Sequence, residues 1–376
     1  MFNIRKMLVM GTFGFASGLP YILIFSTLSA WLRDVGISLS LIGFFSWIAL
    51  TYSLKFLWAP FVDRFSVPIL NRYGRRKSWI ILTQLIIVFC IFTLSSINPI
   101  DSLSFFIFIA FLIAFSGSIQ DIAIDAFRIE YADISDQGNL AAAYQFGYRL
   151  AILAATSLAL ILADNYGWST SYEVMGLLML IGLIGVVISK KENINTHLEI
   201  LNFKNSFIKP IKDFGSRYGF YLASLLLLIV ATYRLTDIVM GPMANPFYLD
   251  MGYSLTEIGS VVKIVALIAS VIGVFLGGIL IKKIGLYYSL LTGAFLVMMT
   301  NACFSYVAIS QEEYILLGSI KMPLKLSLIV GLDSIAAGIV GTVNITFLTS
   351  MVSKKYTAVQ YALLTSFMML PGKFFG

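Results

Sequence analysis

Apolar runs of about 20 residues, the length that a helix needs to cross a bilayer, alternate with short polar connections along the whole chain. This pattern predicts eleven membrane-spanning helices. They fall near residues 8–30, 41–62, 78–97, 104–127, 140–163, 171–189, 219–242, 255–281, 286–309, 326–352 and 358–376. The pattern therefore indicates an all-α polytopic membrane protein.

Composition supports the same class. The 376 residues are 59% hydrophobic and 12% charged, and the mean hydropathy is +0.90, so a soluble core cannot bury the apolar surface. The net charge of +7 comes from basic residues between apolar runs, which excludes nucleic acid as a partner. Cys90 and Cys303 lie within apolar runs without ligand-like neighbours, so we expect no disulfide, metal site or cofactor.

The basic residues indicate the orientation of the spans. With the N-terminus inside, eighteen basic residues lie in inner segments and only Arg33, Lys321 and Lys325 lie in outer ones. Arg5 and Lys6 precede a run that is too long for a signal peptide and lacks a clear cleavage site. We therefore expect an uncleaved first span and a cytoplasmic N-terminus.

The longest non-apolar stretch divides the chain into two halves. A six-span half (residues 1–189) and a five-span half (219–376) flank a basic cytoplasmic linker (190–218), in which the single histidine, His197, is expected to be solvated. DVGISLSLIG at residues 34–43 is repeated as DMGYSLTEIG at 250–259, with seven of ten positions identical or Ser for Thr. Duplicated six-span halves are typical of one large transporter architecture. We therefore expect a twelfth span, so that the second half is truncated and ends outside.

Ionisable groups interrupt the fourth predicted span. Asp121, Asp125 and Arg128 share one helical stripe, where ionised groups cost several kcal/mol unless paired or hydrated. Asp121 precedes and Arg149 follows the short polar connection at residues 135–139, so we expect an antiparallel hairpin to set them opposite each other. They either form a buried ion pair that fixes helix register or belong to a transport pathway. In the preferred second reading, Asp121, Asp125 and Arg149 couple transport to protons, because two neighbouring carboxylates disfavour joint ionisation.

Away from their ends, the predicted spans contain four cations (Lys55, Arg149, Arg234, Lys263) and four carboxylates (Asp121, Asp125, Asp237, Asp333), which suggests pairing. Asp237 and Lys263 form the second half's counterpart of Asp121 and Arg149. A substrate with carboxylates and sugar hydroxyls would be bound by cations, amides and aromatic faces. The predicted substrate-binding residues are Lys55, Gln120, Tyr144, Gln145, Tyr148, Arg234, Asp237 and Lys263. The tyrosines also fit ordinary packing or interfacial positions.

Glycines and other small residues mark sites where spans can cross closely. These sites are Gly11, Gly14 and Gly18 in span one, Ala151 and Ala155 in span five, Gly273 and Gly277 in span eight, and Gly338 and Gly341 in span ten. They allow the halves to slide, or they serve static packing.

The segment APFVDRFSVPILNRYGRRKSW resembles the signature between the second and third helices of the major facilitator superfamily. Asp63 and Arg64 form its Asp-Arg pair, and the glycine and basic cluster (residues 74–77) follow after an insertion that departs from the usual spacing. Topology alone would also place basic residues here. The resemblance implies gating roles at the inner face for Asp63, Arg64, Arg75, Arg76 and Arg128.

Further runs resemble the AmpG-type muropeptide permeases of this superfamily, which are also similar to acetyl-CoA transporters. These runs include GLPYILIFSTLSAWLRDVGISL, YSLKFLWAPFVDR, QDIAIDAFRIE, YQFGYRLA, YRLTD, VVKI and TAVQYALLTS. The resemblance implies proton-driven import of anhydro-muropeptides from periplasm to cytoplasm by a monomer in the bacterial inner membrane. The alternatives are a carrier of acetyl-CoA or another anionic metabolite, and a non-transporting membrane protein. An enzyme is disfavoured because G-x-S-x-G, H-E-x-x-H and P-loop patterns are absent from the sequence.

Overall fold

The structure, a computed structural model, is almost entirely helical. It describes residues 4–38, 40–42, 48, 50–190, 203–236, 247–248, 251–253, 257, 261–309, 314–317 and 320–375. Parts of the second and seventh predicted spans, and most of the repeated segment at 250–259, lie outside the described residues.

The α-helices in the described part of the chain follow the apolar runs. They are α1 (Ile4–Ile22), α2 (Leu28–Asp34), α3 (Leu50–Ser53), α4 (Ala59–Arg64), α5 (Arg75–Ser95), α6 (Leu103–Tyr131), α7 (Gln137–Leu153), α8 (Ala159–Met179), α9 (Ile181–Ile188), α10 (Phe203–Thr232), α11 (Leu267–Ile309), α12 (Leu324–Met351) and α13 (Thr357–Phe375). Short 3₁₀ turns occupy Lys55–Leu57, Leu70–Tyr73 and Ile134–Asp136. Two short antiparallel strands, β1 (Tyr314–Leu317) and β2 (Ile320–Pro323), precede α12.

Seven helical stretches within the described residues are long and apolar enough to cross a membrane. Two of them, Gln137–Ile188 and Ile264–Ser305, contain 52 and 42 residues, and a straight 52-residue helix would measure about 78 Å against a hydrocarbon core of about 30 Å. Both are broken by a glycine at positive φ, Gly167 (85°) and Gly285 (79°). Each break falls between two predicted spans, so the seven stretches account for nine of the eleven spans. The chain is thus a multi-pass membrane protein, and the predicted all-α class is confirmed.

Within the described residues, three π-helical segments interrupt the spans, at Leu23–Thr27, Ala154–Leu158 and Val261–Ala266. The extra residue in a π turn leaves backbone carbonyls without their usual helical donors. The Thr27 hydroxyl donates to the carbonyl of Ala155, which lies in the second π segment. The first two segments therefore contact each other, and this contact fixes the path of the first span against the fifth.

The chain forms two compact units. The first contains Met1–Asp133, Phe146–Gly219 and Val352–Ser366, and the second contains Ile134–Gln145, Phe220–Met351 and Phe367–Gly376. The six-plus-five division at residues 190–218 remains a prediction. In the first unit, α6 packs against α1 and α5, and this packing positions the charged stripe of α6.

Glycines permit close helix crossings in both units, which confirms the prediction for these sites. In the first unit, a β-carbon added to Gly18 would lie 3.1 Å from both the Ala151 methyl and the Tyr148 ring. In the second unit, one added to Gly277 would lie 3.0 Å from the Ile339 carbonyl oxygen. These helices approach at distances that leave little room for a larger side chain.

Candidate functional site

A buried lysine lies between two carboxylates in the first unit. The Lys55 Nζ atom is 2.5 Å from Asp121 Oδ2 and 3.7 Å from Asp125 Oδ2. Lys55 is 8% exposed and Asp125 is 7% exposed. Removing one member of such a buried group leaves an uncompensated charge, which costs about 3–5 kcal/mol.

The local structure explains how these groups meet. Asp121 and Asp125 lie one turn apart on α6, so their carboxylates lie on the same face. Lys55 begins the 3₁₀ turn Lys55–Leu57. This turn is held against α6 by the nearby Trp58 indole, which donates a 3.0 Å hydrogen bond to the Ser118 hydroxyl. One lysine can therefore reach both carboxylates.

Helix α1 supplies polar groups to the same region. The Ser17 hydroxyl donates to Asp121 Oδ1 at 2.6 Å, and the Gln120 amide donates to the Ala16 carbonyl at 2.9 Å. Gln120 is fully buried, and its Oε1 atom has no hydrogen-bond partner among the described residues. Such an unsatisfied buried acceptor costs about 1–3 kcal/mol, so the site retains capacity for a donor.

Arg128 extends the charged stripe towards α13. Its Nη2 atom lies 3.5 Å from Asp125 Oδ1, and its guanidinium carbon lies 5.2 Å from the centroid of the Tyr361 ring. Arg128 is 0% exposed and Tyr361 is 3% exposed. Asp125 therefore lies between two cations, Lys55 and Arg128, and Arg128 in turn contacts an aromatic face.

A second buried cluster surrounds Arg76 at the start of α5. Its Nη2 atom lies 2.6 Å from Asp63 Oδ1, from Glu130 Oε1 and from the Thr357 hydroxyl, and its Nη1 donates to the Val62 carbonyl at 2.8 Å. These charge-assisted bonds satisfy a fully buried guanidinium. The cluster joins α4, α5 and α6 to the first residue of α13.

Asp63 also caps α13. Its carboxylate accepts backbone N–H bonds from Ala358 at 3.2 Å and from Val359 at 2.9 Å. A carboxylate at this position satisfies unpaired helix donors and interacts favourably with the positive end of the helix dipole. The beginning of α13 is consequently held by a side chain from α4.

The other predicted gating residues are placed differently. Arg75 Nη1 donates to the Asp63 carbonyl at 2.8 Å, and Arg75 Nη2 lies 3.4 Å from Glu130 Oε1. The Arg64 guanidinium carbon lies 5.0 Å from the centroid of the neighbouring Phe65 ring. Arg75 thus joins the Arg76 cluster, and Arg64 stacks on its neighbour.

The remaining predicted substrate-binding residues are divided between the units. Tyr148 and Arg149 belong to the first unit, and Tyr148 packs at Gly18. Tyr144, Gln145 and Arg234 belong to the second unit, where the Gln145 amide lies beside Gly341. Asp237 and the side chain of Lys263 lie outside the described residues. The predicted pairings of Asp121 with Arg149 and of Asp237 with Lys263 remain predictions.

Sequence reasoning missed four members of these clusters, Ser17, Glu130, Thr357 and Tyr361. Glu130 could have been found, because it lies just after the C-terminal end of the fourth predicted span and can meet the basic run at residues 75–77. Thr357 directly precedes the eleventh predicted span, where Thr is a common helix start, and Tyr361 lies in the first turn of that span. Within the described residues, no group of three or more His, Cys, Asp or Glu side chains is placed to hold a metal ion.

The chain is similar to known membrane transporters. It is 33% identical over 359 residues to a putative transporter AmpG 4 of Rickettsia conorii, and the matched region covers 94% of this chain and 84% of that protein. It is 31% identical over 355 residues to the anhydromuropeptide permease of Escherichia coli K12, and the matched region covers 94% of this chain and 69% of that protein.

The fold matches that of a solved transporter. The proton:xylose symporter XylE superposes with a TM-score of 0.65 at 14% identity, covering 99% of this chain and 87% of that one. A family model described as Major Facilitator Superfamily matches residues 5–376. Similarity over nearly the whole sequence, together with the shared fold, points to a transporter and not to an enzyme. This chain belongs to the major facilitator superfamily.

Proposed function

We propose that this protein is a proton-coupled importer that carries anhydro-muropeptides from the periplasm to the cytoplasm for cell-wall recycling. The observation that carries the coupling is the buried contact of Lys55 with Asp121 and Asp125. The substrate class rests on relatives such as the anhydromuropeptide permease of Escherichia coli. The proposed location is the inner membrane, with the N-terminus in the cytoplasm, as the excess of inner basic residues indicates.

The coupling follows from charge balance around Lys55. When both carboxylates are ionised, one lysine and Arg128 compensate them. Two carboxylates one turn apart disfavour joint ionisation, so one of the two takes up a proton from the outer side. Protonation weakens the contact with Lys55 and lets the fourth span move relative to the second. Return of the proton to the cytoplasm restores the ion pair and resets the carrier.

Substrate recognition requires groups that match an acidic peptide and sugar hydroxyls. Cations such as Arg149, Arg234 and Lys263 pair with carboxylates, whereas Gln120 and Gln145 bind hydroxyls and amides. The unsatisfied Gln120 Oε1 supports this role, because a substrate hydroxyl or a bound water can donate to it. Aromatic faces at Tyr144 and Tyr148 suit the apolar faces of sugar rings.

Transport at the inner face depends on release of α13. Asp63 and Arg76 hold the first turn of this helix. We assign these residues, with Arg64, Arg75 and Arg128, to a gate that opens when the carboxylate pair changes its charge. Because the proton-binding carboxylates and the gate cluster share α6, movement of this one helix acts on both.

Uptake in proteoliposomes tests the proposal. Purified protein is given an inward proton gradient and either labelled anhydro-muropeptide or labelled acetyl-CoA. We expect accumulation of the muropeptide alone, its loss when the gradient is dissipated by a protonophore, and normal uptake by the control variant Asp101→Asn, whose carboxylate is exposed. Uptake of acetyl-CoA alone, or accumulation that ignores the gradient, would overturn the proposal.

A further inference from the structure

The contacts of Asp125 differ in length from those of its neighbour Asp121. Asp121 lies 2.5 Å from Lys55, whereas Asp125 lies 3.7 Å from Lys55 and 3.5 Å from Arg128. Charge-assisted bonds between a cation and a carboxylate usually measure about 2.7–2.9 Å. Asp125 thus faces two cations but forms a short ion pair with neither of them.

The other side of Arg128 is occupied by Tyr361 of α13. The distance of 5.2 Å between the guanidinium carbon and the ring centroid lies within the range of a cation–π interaction. Both side chains are buried, and desolvation strengthens a cation–π pair of this kind. The ring therefore competes with Asp125 for the guanidinium and favours the position that Arg128 occupies.

We propose that Tyr361 is a positioning residue that holds Arg128 back from Asp125 and so keeps this carboxylate able to accept a proton at the working pH. The inference rests on the proposed proton-coupled transport. Among the described residues, the charged and titratable groups against Asp125 are Asp121 and Arg128 from its own helix, Lys55 from the 3₁₀ turn and Tyr361 from α13. Without the ring, the guanidinium can close onto the carboxylate and stabilise its ionised form.

The position of Tyr361 also links proton uptake to the inner gate. It follows Thr357 by four residues, so the two side chains lie on the same face of α13. Thr357 contacts Arg76 and Glu130, and Tyr361 contacts Arg128. Release of α13 therefore removes the ring from Arg128, which frees the guanidinium to approach Asp125 and expel its proton. One helix movement then serves both gate opening and proton release.

The pH dependence of uptake tests this role. Initial rates of anhydro-muropeptide uptake are measured in proteoliposomes at a series of external pH values for wild type, Tyr361→Leu, Tyr361→Met and Tyr361→Phe. We expect the midpoint for the Leu and Met variants to move by about one pH unit towards acid, as a closer cation requires. The Phe variant keeps the ring face but loses the hydroxyl that interacts with Arg128, so its midpoint should move less than that of the Leu and Met variants. The control Tyr356→Leu, whose ring lies beside Lys355, should retain the wild-type midpoint.

The outcomes separate this inference from the proposed function. No gradient-driven uptake by wild type would contradict the proposed function itself. Normal wild-type uptake with an unchanged or alkaline-shifted midpoint in the Leu and Met variants would overturn the role of Tyr361. If the Leu variant does not fold, the flexible Met side chain, which fills much of the same space, decides the result. An acid shift in the Phe variant equal to that of Leu would also contradict the role of the ring.

Discussion

Lys55 Nζ and Asp121 Oδ2 lie 2.5 Å apart, although 66 residues separate them in the chain. The pair joins the second predicted span to the fourth within the first unit, at a depth where single charges are costly. Its energetic coupling should be measurable. We expect Lys55→Met and Asp121→Asn each to destabilise the folded protein, by up to about 3–5 kcal/mol, and the double variant to lose less than the sum. Thermal unfolding in detergent measures the loss of stability for the two single variants and for the double variant.

A control for this cycle combines Lys55→Met with Asp101→Asn, which alters an exposed carboxylate. The effects of this combination should be additive, because distant groups that share no partner do not couple. Additive effects for Lys55 and Asp121 themselves would show that the two groups do not stabilise each other.

The cap of α13 provides a prediction about local opening. Asp63→Ala removes an acceptor from Ala358 and Val359 and a partner from Arg76. A lost helix cap costs about 1 kcal/mol, so amide hydrogen exchange in residues 357–361 should become several-fold faster. Exchange in the middle of α5 should remain unchanged. Equal protection of 357–361 in both proteins would mean that the cap does not hold this helix.

Close helix contact at Gly147 can be tested by enlarging the side chain. A β-carbon at this position would collide with the Gly11 carbonyl, so Gly147→Ala should lower stability by about 1–3 kcal/mol through overpacking. Gly215→Ala is the matched control, because nothing lies within 4 Å of a β-carbon there. If Gly147→Ala and Gly215→Ala unfold at the same temperature, the close crossing of α1 and α7 is contradicted.

Substrate charge provides a further prediction for the second unit. Lys263→Ala should reduce uptake of peptide-bearing muropeptides more than uptake of the peptide-free disaccharide, because the lost cation pairs with a peptide carboxylate. Competition between the two labelled substrates measures the difference. An equal loss for both would assign Lys263 to fold stability instead of substrate selection.

Short-range features of the fold and site were predictable from the sequence. The apolar runs gave the spans because membrane helices need a fixed length, and the breaks at Gly167 and Gly285 fall within predicted connections. The stripe of Asp121, Asp125 and Arg128 also followed from helical spacing alone. These features depend only on residues that are close in the chain.

Long-range partners were not predictable in the same way. Lys55 was assigned to substrate, and its contact with both carboxylates depends on how the second span packs against the fourth. The contact of Tyr361 with Arg128 requires a helix more than 200 residues later in the chain to return to the first unit. No local pattern predicts the contact between the first two π segments, which the Thr27 hydroxyl and the Ala155 carbonyl form. The geometry of a helical hairpin predicts only that Asp121 faces Arg149. It does not predict the contact of Asp121 with Lys55 or of Arg128 with Tyr361.

The most direct measurement for the central claim compares net accumulation with exchange in Asp121→Asn. Proteoliposomes containing wild type or the variant are assayed for gradient-driven accumulation of labelled anhydro-muropeptide and for exchange of internal for external substrate without a gradient. The account predicts that the variant exchanges substrate but no longer accumulates it. Without the charge of Asp121 beside it, Asp125 has Lys55 and Arg128 to itself, so it stays ionised and cannot take up the coupling proton. Undiminished accumulation by Asp121→Asn would contradict the account.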